Sequence, residues 1–104
     1  IKKDDIILLT SKQRAYLRGM ANTMEPILHV GKGEISPAMI KQADDALTAR
    51  ELFKARTLET CAHTPREVAQ TISQAVNAEV VQVIGRTFVM YRRNVKEPKI
   101  KLPK

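Results

Sequence analysis

The chain predicts a two-layer α/β (α+β) domain, a four-stranded mixed sheet carrying three helices in the order α-β-α-β-α-β-β. Three observations lead there. Three segments open on helix-capping residues and continue with apolar residues at helical spacing. Short β-rich runs stand between them. The last two runs are separated only by Gly85-Arg86, a spacing that suits a hairpin. Helices that alternate with strands imply a mixed sheet with helices packed on it.

Thr10-Ser11-Lys12-Gln13 reads as a capping box, with Thr10 at the N-cap and Gln13 three residues on. The helix it opens should run to about Ala21. Leu9, Gln13, Tyr16, Leu17, Met20 and Ala21 recur at helical spacing, which points Tyr16, Leu17 and Met20 at a core. Gly19 costs roughly 1 kcal/mol against Ala at such a position, which suggests close packing. Ile27-Leu28-His29-Val30 is a short apolar run between Pro26 and Gly31, hence a buried strand, with His29 a hydrogen-bonded structural residue. Ser36 then caps a second helix, and Pro37 occupies its first position, where a missing N–H costs nothing. Ile35 and Ile40 take the places of a hydrophobic staple across that cap. Ile40, Ala43 and Leu47 continue the buried stripe, while Asp44 and Asp45 face water.

Leu52 to Glu59 is the second strand. Phe53, Ala55 and Thr57 point one way, and Lys54 and Arg56 the other. Thr64-Pro65-Arg66-Glu67 is a second capping box. Val68, Ile72, Ala75 and Val76 form the stripe behind it. Glu79 to Ile84 and Thr87 to Arg93 are the hairpin strands. Three short amphipathic helices are enough to cover one face of such a sheet; spacing alone leaves the other face undecided.

The 104 residues allow one domain. Residues 1–8 are expected to be disordered or an artificial extension, residues 9–95 the domain, and residues 96–104 a basic tail that lies along a sheet edge or stays loose. The net charge of +7 and pI near 9.9 favour polyanions, nucleic acid before an anionic membrane. No apolar run is long enough to span a bilayer. Cys61 is the lone cysteine, which excludes an internal disulfide and fits a reducing cytoplasm. Cys61 and His63 are two potential ligands, too few for zinc. Asp44 and Asp45 diverge on their helix, and no nucleophile–base set is visible, so no enzyme activity, cofactor or small-molecule substrate is expected. Tyr91 and Phe88 are expected in the core rather than stacked on bases.

Charge gathers at identifiable places. Gly31-Lys32-Gly33 leads into the Ser36 helix start, where unpaired N–H groups and the helix dipole suit a phosphate. Arg14 and Arg18 lie one turn apart and, with Lys12 and Lys32, are expected to form one patch. Lys54 and Arg56 share a strand face; Arg86 sits in the hairpin turn and Arg92 at a strand end. These ten positions, Lys12, Arg14, Arg18, Gly31, Lys32, Gly33, Lys54, Arg56, Arg86 and Arg92, are the expected nucleic-acid-binding set.

Three blocks in this order carry a resemblance: Leu9 to Arg18, His29 to Gly33, and Val83-Ile84-Gly85-Arg86-Thr87 with Tyr91-Arg92. They resemble the CRM domain, in its stand-alone bacterial YhbY/YqeI-type form, over nearly the whole chain. The resemblance implies an RNA-binding module similar in fold to the C-terminal domain of bacterial translation initiation factor three. Stand-alone members are linked to precursors of the large ribosomal subunit, and plant relatives to intron splicing. The implied function is therefore non-enzymatic binding of structured ribosomal RNA during large-subunit assembly, by a monomer in the cytoplasm. A basic adaptor docking on ribosomal or assembly proteins is the alternative. The family's GxxG loop falls on Gly31-Lys32-Gly33-Glu34, and this chain departs from it at Glu34. A carboxylate there repels a phosphate unless it turns toward the helix dipole.

Overall fold

Capping chemistry places all three helices. In a computed structural model, which describes residues 9–31, 35–94 and 96–103, α1 (Ser11–Ala21) starts at the Thr10 box. Gln13 N donates to Thr10 Oγ1, and Thr10 N to Gln13 Oε1, both at 3.1 Å. α2 (Pro37–Arg50) starts where Ser36 Oγ accepts from Met39 N, and Ile35 and Ile40 both pack on the core as a staple requires. α3 (Pro65–Val76) starts at the Thr64–Glu67 box, closed by bonds of 2.9 and 3.1 Å. The bonds from Thr64 hold the Glu67 carboxyl below its ordinary value. Residues 1–8, expected outside the fold, lie outside the described residues.

The strands are β1 (Pro26–Val30), β2 (Leu52–Thr57), β3 (Glu79–Ile84) and β4 (Thr87–Tyr91). They form one mixed sheet in the order β1-β2-β4-β3. β1 runs parallel to β2 through the α2 crossover; β4 is antiparallel to both its neighbours. β2 stops at Thr57 rather than Glu59, because after Leu58 N donates to Val30 O the chain turns, with Cys61 N donating to Leu58 O. β4 likewise stops at Tyr91, where Arg92 N turns aside to the carbonyl of Glu51.

The sheet is covered on both sides, unequally. Leu28, Val30, Phe53, Ala55, Phe88 and Met90 face α2 and α3 in the larger core cluster. Leu52, Val81, Val89 and Tyr91 face the other way and receive Leu17 and Ala21 of α1. Two helices, not three, therefore share one face. The C-terminal tail follows neither expected course: it folds across the α1 side of the sheet and adds Ile100 and Leu102 to the smaller cluster. Phe88 and Tyr91 are buried, as expected of core aromatics. Tyr16 and Met20 are not: they are 45% and 36% exposed, on the flank of α1 rather than its base. α1 is short and rests on the sheet along a narrow line, so only Leu17 and Ala21 are fully covered. Gly19 faces open space, where a Cβ would meet nothing within 4 Å, so close packing does not explain it. In α3 the buried stripe is Val68, Ala69, Ile72 and Val76, and Ala75 is exposed.

Glu51 joins these layers. It ends α2 in the left-handed conformation (φ 65°) and is followed at once by β2. Its side chain is fully buried. A buried carboxylate is costly unless hydrogen-bonded. Here Oε2 accepts from Asn94 N, and Oε1 from Lys99 N and Ile100 N, each at 2.6 Å. These short charge-assisted bonds fix the tail on the sheet.

Glu51→Ala should remove about 3 kcal/mol or more of stability, because it strands three backbone donors; Glu51→Gln should recover only part, since one acceptor oxygen becomes a donor. Denaturant unfolding measures both. A second outcome concerns alkali. Burial, followed by the nearby Glu51 charge, raises the Tyr91 phenol above its ordinary value of 10.0. The folded state thus holds that proton more tightly than the unfolded chain. Tyr91 should contribute its full stability below pH 10 and lose it as pH rises through that value and beyond. Melting temperatures of wild type and Tyr91→Phe across pH 8–11 should diverge only at the upper end.

Candidate nucleic-acid interface

Among the described residues, one stretch of the sheet is covered by no helix. Side chains directly opposite each other in neighbouring strands share a face and stand about 5 Å apart. His29 pairs with Arg56, Arg56 with Thr87, and Thr87 with Ile84. These four residues make one row across all four strands, on the α1 side, at the end of the sheet away from the tail. His29, Arg56 and Ile84 are exposed, and Thr87 half-buried. Lys54, two residues before Arg56 on the same face, is half-buried.

His29 is thus not the buried structural residue its apolar neighbours suggest. Leu28 and Val30 point into the core, and the strand's period of two turns His29 outward. The alternation Leu28-His29-Val30 carries this signal within an otherwise apolar run.

α1 flanks this row. Successive helical residues step about 100°, so Arg14 and Arg18 lie on one flank and Gln13 toward the other. Gln13 Nε2 donates to Pro103 O in the tail. That places the Arg18 flank toward the open row. Lys12, about 160° round from Arg14, is exposed. Lys32, the fourth member of the expected patch, lies outside the described residues.

Arg14 is spent on structure. Its guanidinium donates to Val80 O (2.8 Å) and Val81 O (3.3 Å) and pairs with Glu79 at 3.3 Å. These carbonyls lie on edge strand β3, where the pairing register shifts between Val80 and Gln82. Arg14 thereby occupies a bulged edge that would otherwise offer unpaired acceptors. Arg92 is spent more fully. It donates to Asp44 Oδ1 (2.6 Å), Asp44 O (3.1 Å), Thr48 Oγ1 (2.9 Å) and Val76 O (2.8 Å). It clamps α2 to the end of α3, on the opposite side of the sheet from Arg56. Asp44, expected to face only water, is its partner.

Arg18, Lys54, Arg56 and Arg86 differ from these two: among the described residues none has a carboxylate partner. Arg86 belongs to the hairpin tip, where Gly85 adopts φ +57°. The Arg86 carbonyl accepts from Thr57 N (2.8 Å) and Thr57 Oγ1 (3.2 Å). This ties the tip to the end of β2, beside the point where β1 gives way to Gly31. A Cβ at Gly31 would lie 3.3 Å from Leu58 Cδ1, a tight contact with the tip of an exposed side chain. Lys32, Gly33 and Glu34 lie outside the described residues. The first turn of α2 carries no acidic side chain to offset its positive dipole end.

Among the described residues no three His, Cys, Asp or Glu side chains gather to hold a metal. None of their helices is long and apolar enough to cross a membrane.

Comparison with known proteins agrees with this architecture. Residues 9–92 match the CRS1 / YhbY (CRM) domain family, and the chain belongs to that family. It is 40% identical over 96 residues to a Bacillus subtilis protein named probable RNA-binding protein YqeI, covering 92% of this chain and all of that one. A Methanocaldococcus jannaschii protein, named probable RNA-binding protein MJ0652, is 33% identical over 105 residues, 92% of this chain and 78% of its own length. The solution structure of the hypothetical protein SAV1595 from Staphylococcus aureus superposes with a TM-score of 0.74 at 44% identity, covering 92% of this chain and all of that one.

Arg92→Ala should lower stability by about 1–2 kcal/mol, through the loss of a four-bond clamp whose acceptors are exposed or part-buried. Arg92→Lys should restore little, because an ammonium cannot span the four acceptors that the guanidinium fork reaches. Thermal unfolding reads both.

Proposed function

We propose that this protein binds structured RNA through the α1 side of its sheet, without catalysis, and that the RNA is ribosomal, met during assembly of the large subunit. The observation that carries the reading is the sorting of cations. Arg14 and Arg92 are consumed by protein acceptors, whereas Lys54 and Arg56 share the open sheet face, and neither they nor Arg18 on α1 and Arg86 in the hairpin turn has an acidic partner among the described residues. Unpaired cations around a face of a +7 domain suit a polyanion. Family membership and relatives named as RNA-binding proteins support RNA as that polyanion. The segment Gly31-Lys32-Gly33, which follows β1 and precedes the uncompensated start of α2, supplies further phosphate contacts in this reading. The ribosomal assignment draws on the resemblance to stand-alone bacterial CRM proteins. A monomer suffices, because one copy carries the whole surface.

Lys54→Ala, Arg56→Ala, Arg18→Ala and Lys32→Ala should each weaken binding to ribosomal RNA fragments to a similar extent across sequences. Each should flatten the dependence of log K on log salt by about 0.7–0.9. Mobility-shift titrations from 50 to 300 mM salt measure this. A complex with ribosomal or assembly proteins that survives RNase, formed by protein that retains no RNA, would favour a protein-docking adaptor instead.

A further inference from the structure

The open row holds more than charge. His29 and Arg56 are direct cross-strand neighbours, both exposed, and both end in flat, delocalised groups. Next along the row come Thr87 and then Ile84, which is 59% exposed although apolar. A phosphate gains nothing from an exposed isoleucine among the cations, and only in part from an imidazole, whose flat face it does not use. A nucleobase does gain: it has an apolar π-face, and it stacks on imidazole and guanidinium planes. The strand register sets His29 and Arg56 side by side, about 5 Å apart at their Cβ atoms. Lys54 and Arg86 stand within two residues of Arg56 and one of Thr87, placed for the phosphates on either side of a splayed base.

We propose that His29 and Arg56, with Ile84 and Thr87 beside them, form a stacking platform for unpaired nucleobases, so that the RNA presents a loop, bulge or single strand to this face. The proposal rests on the RNA-binding reading above and adds to it the class of RNA element preferred. Bases inside a duplex are already stacked and cannot lie on the platform, so discrimination between paired and unpaired RNA follows from the row.

The test uses the full chain and two RNAs with equal numbers of phosphates: a hairpin with an unpaired loop carrying 2-aminopurine, and a fully paired duplex. Wild type should favour the hairpin, and the 2-aminopurine fluorescence should change on binding. His29→Ala should cut the hairpin-over-duplex ratio by about fivefold or more. His29→Phe, which keeps a plane, should restore it. Arg56→Lys keeps the charge but loses the plane; it should lower the ratio while leaving the salt slope of the hairpin complex in place. Both positions are exposed, so melting temperatures of the three variants should stay near wild type. Equal affinity of wild type for both RNAs, or a ratio unmoved by His29→Ala and Arg56→Lys together, overturns the platform. In that case, if Lys54→Ala still weakens both RNAs and flattens the slope, the RNA-binding reading survives the loss. Failure of wild type to bind either RNA overturns both.

Discussion

The buried carboxylate of Glu51 is the interaction on which the arrangement depends. It ends α2 in a left-handed turn, a position that usually favours glycine. Its backbone carbonyl receives Arg92 N and turns the chain out of β4, while its side chain receives three N–H groups of the tail. A glycine would suit the backbone and forfeit the tail. The tail in turn supplies Ile100 and Leu102, without which the small cluster under α1 would lose part of its cover. One residue thus sets the exit of a helix, the start of a central strand and the closure of the second face.

Among the described residues, closure of that face is partial. α1 and the tail cover the end of the sheet marked by Leu52 and Tyr91. The other end, where β1 gives way to the glycine segment and the hairpin tip bonds to Thr57, stays open. The same strands therefore serve two purposes by alternation. Phe53, Ala55 and Phe88 build the large core, and the residues between them, Lys54, Arg56 and Thr87, are left on the other side. Arg14 and Arg92 hold elements in place at the margins, whereas Lys54 and Arg56, without a carboxylate partner among the described residues, lie on the open face.

Much of this was legible in the chain. Both capping boxes, the Ser36-Pro37 helix start and its staple, the split of Phe53, Ala55 and Thr57 from Lys54 and Arg56, and the Gly85-Arg86 hairpin follow from local rules. Those rules concern hydrogen bonds and periodicities within a few residues, so a single segment reveals them. Lys54, Arg56 and Arg18 were legible as cations, as was their separation from the apolar stripes. The four-bond role of Arg92, the edge role of Arg14 and the outward turn of His29 were not, because each depends on acceptors or covering elements far away in the chain.

By itself, then, the sequence determined which segments become helices and strands, the total charge and the family the chain resembles, since short-range capping, alternation and motif order encode these. Only the tertiary structure decided which face of the sheet α1 and the tail would occupy, and therefore which positive side chains remain free. That choice is made by contacts between residues dozens of positions apart: Gln13 with Pro103, Arg14 with Val80, Arg92 with Asp44, Glu51 with Ile100. No local periodicity carries that information.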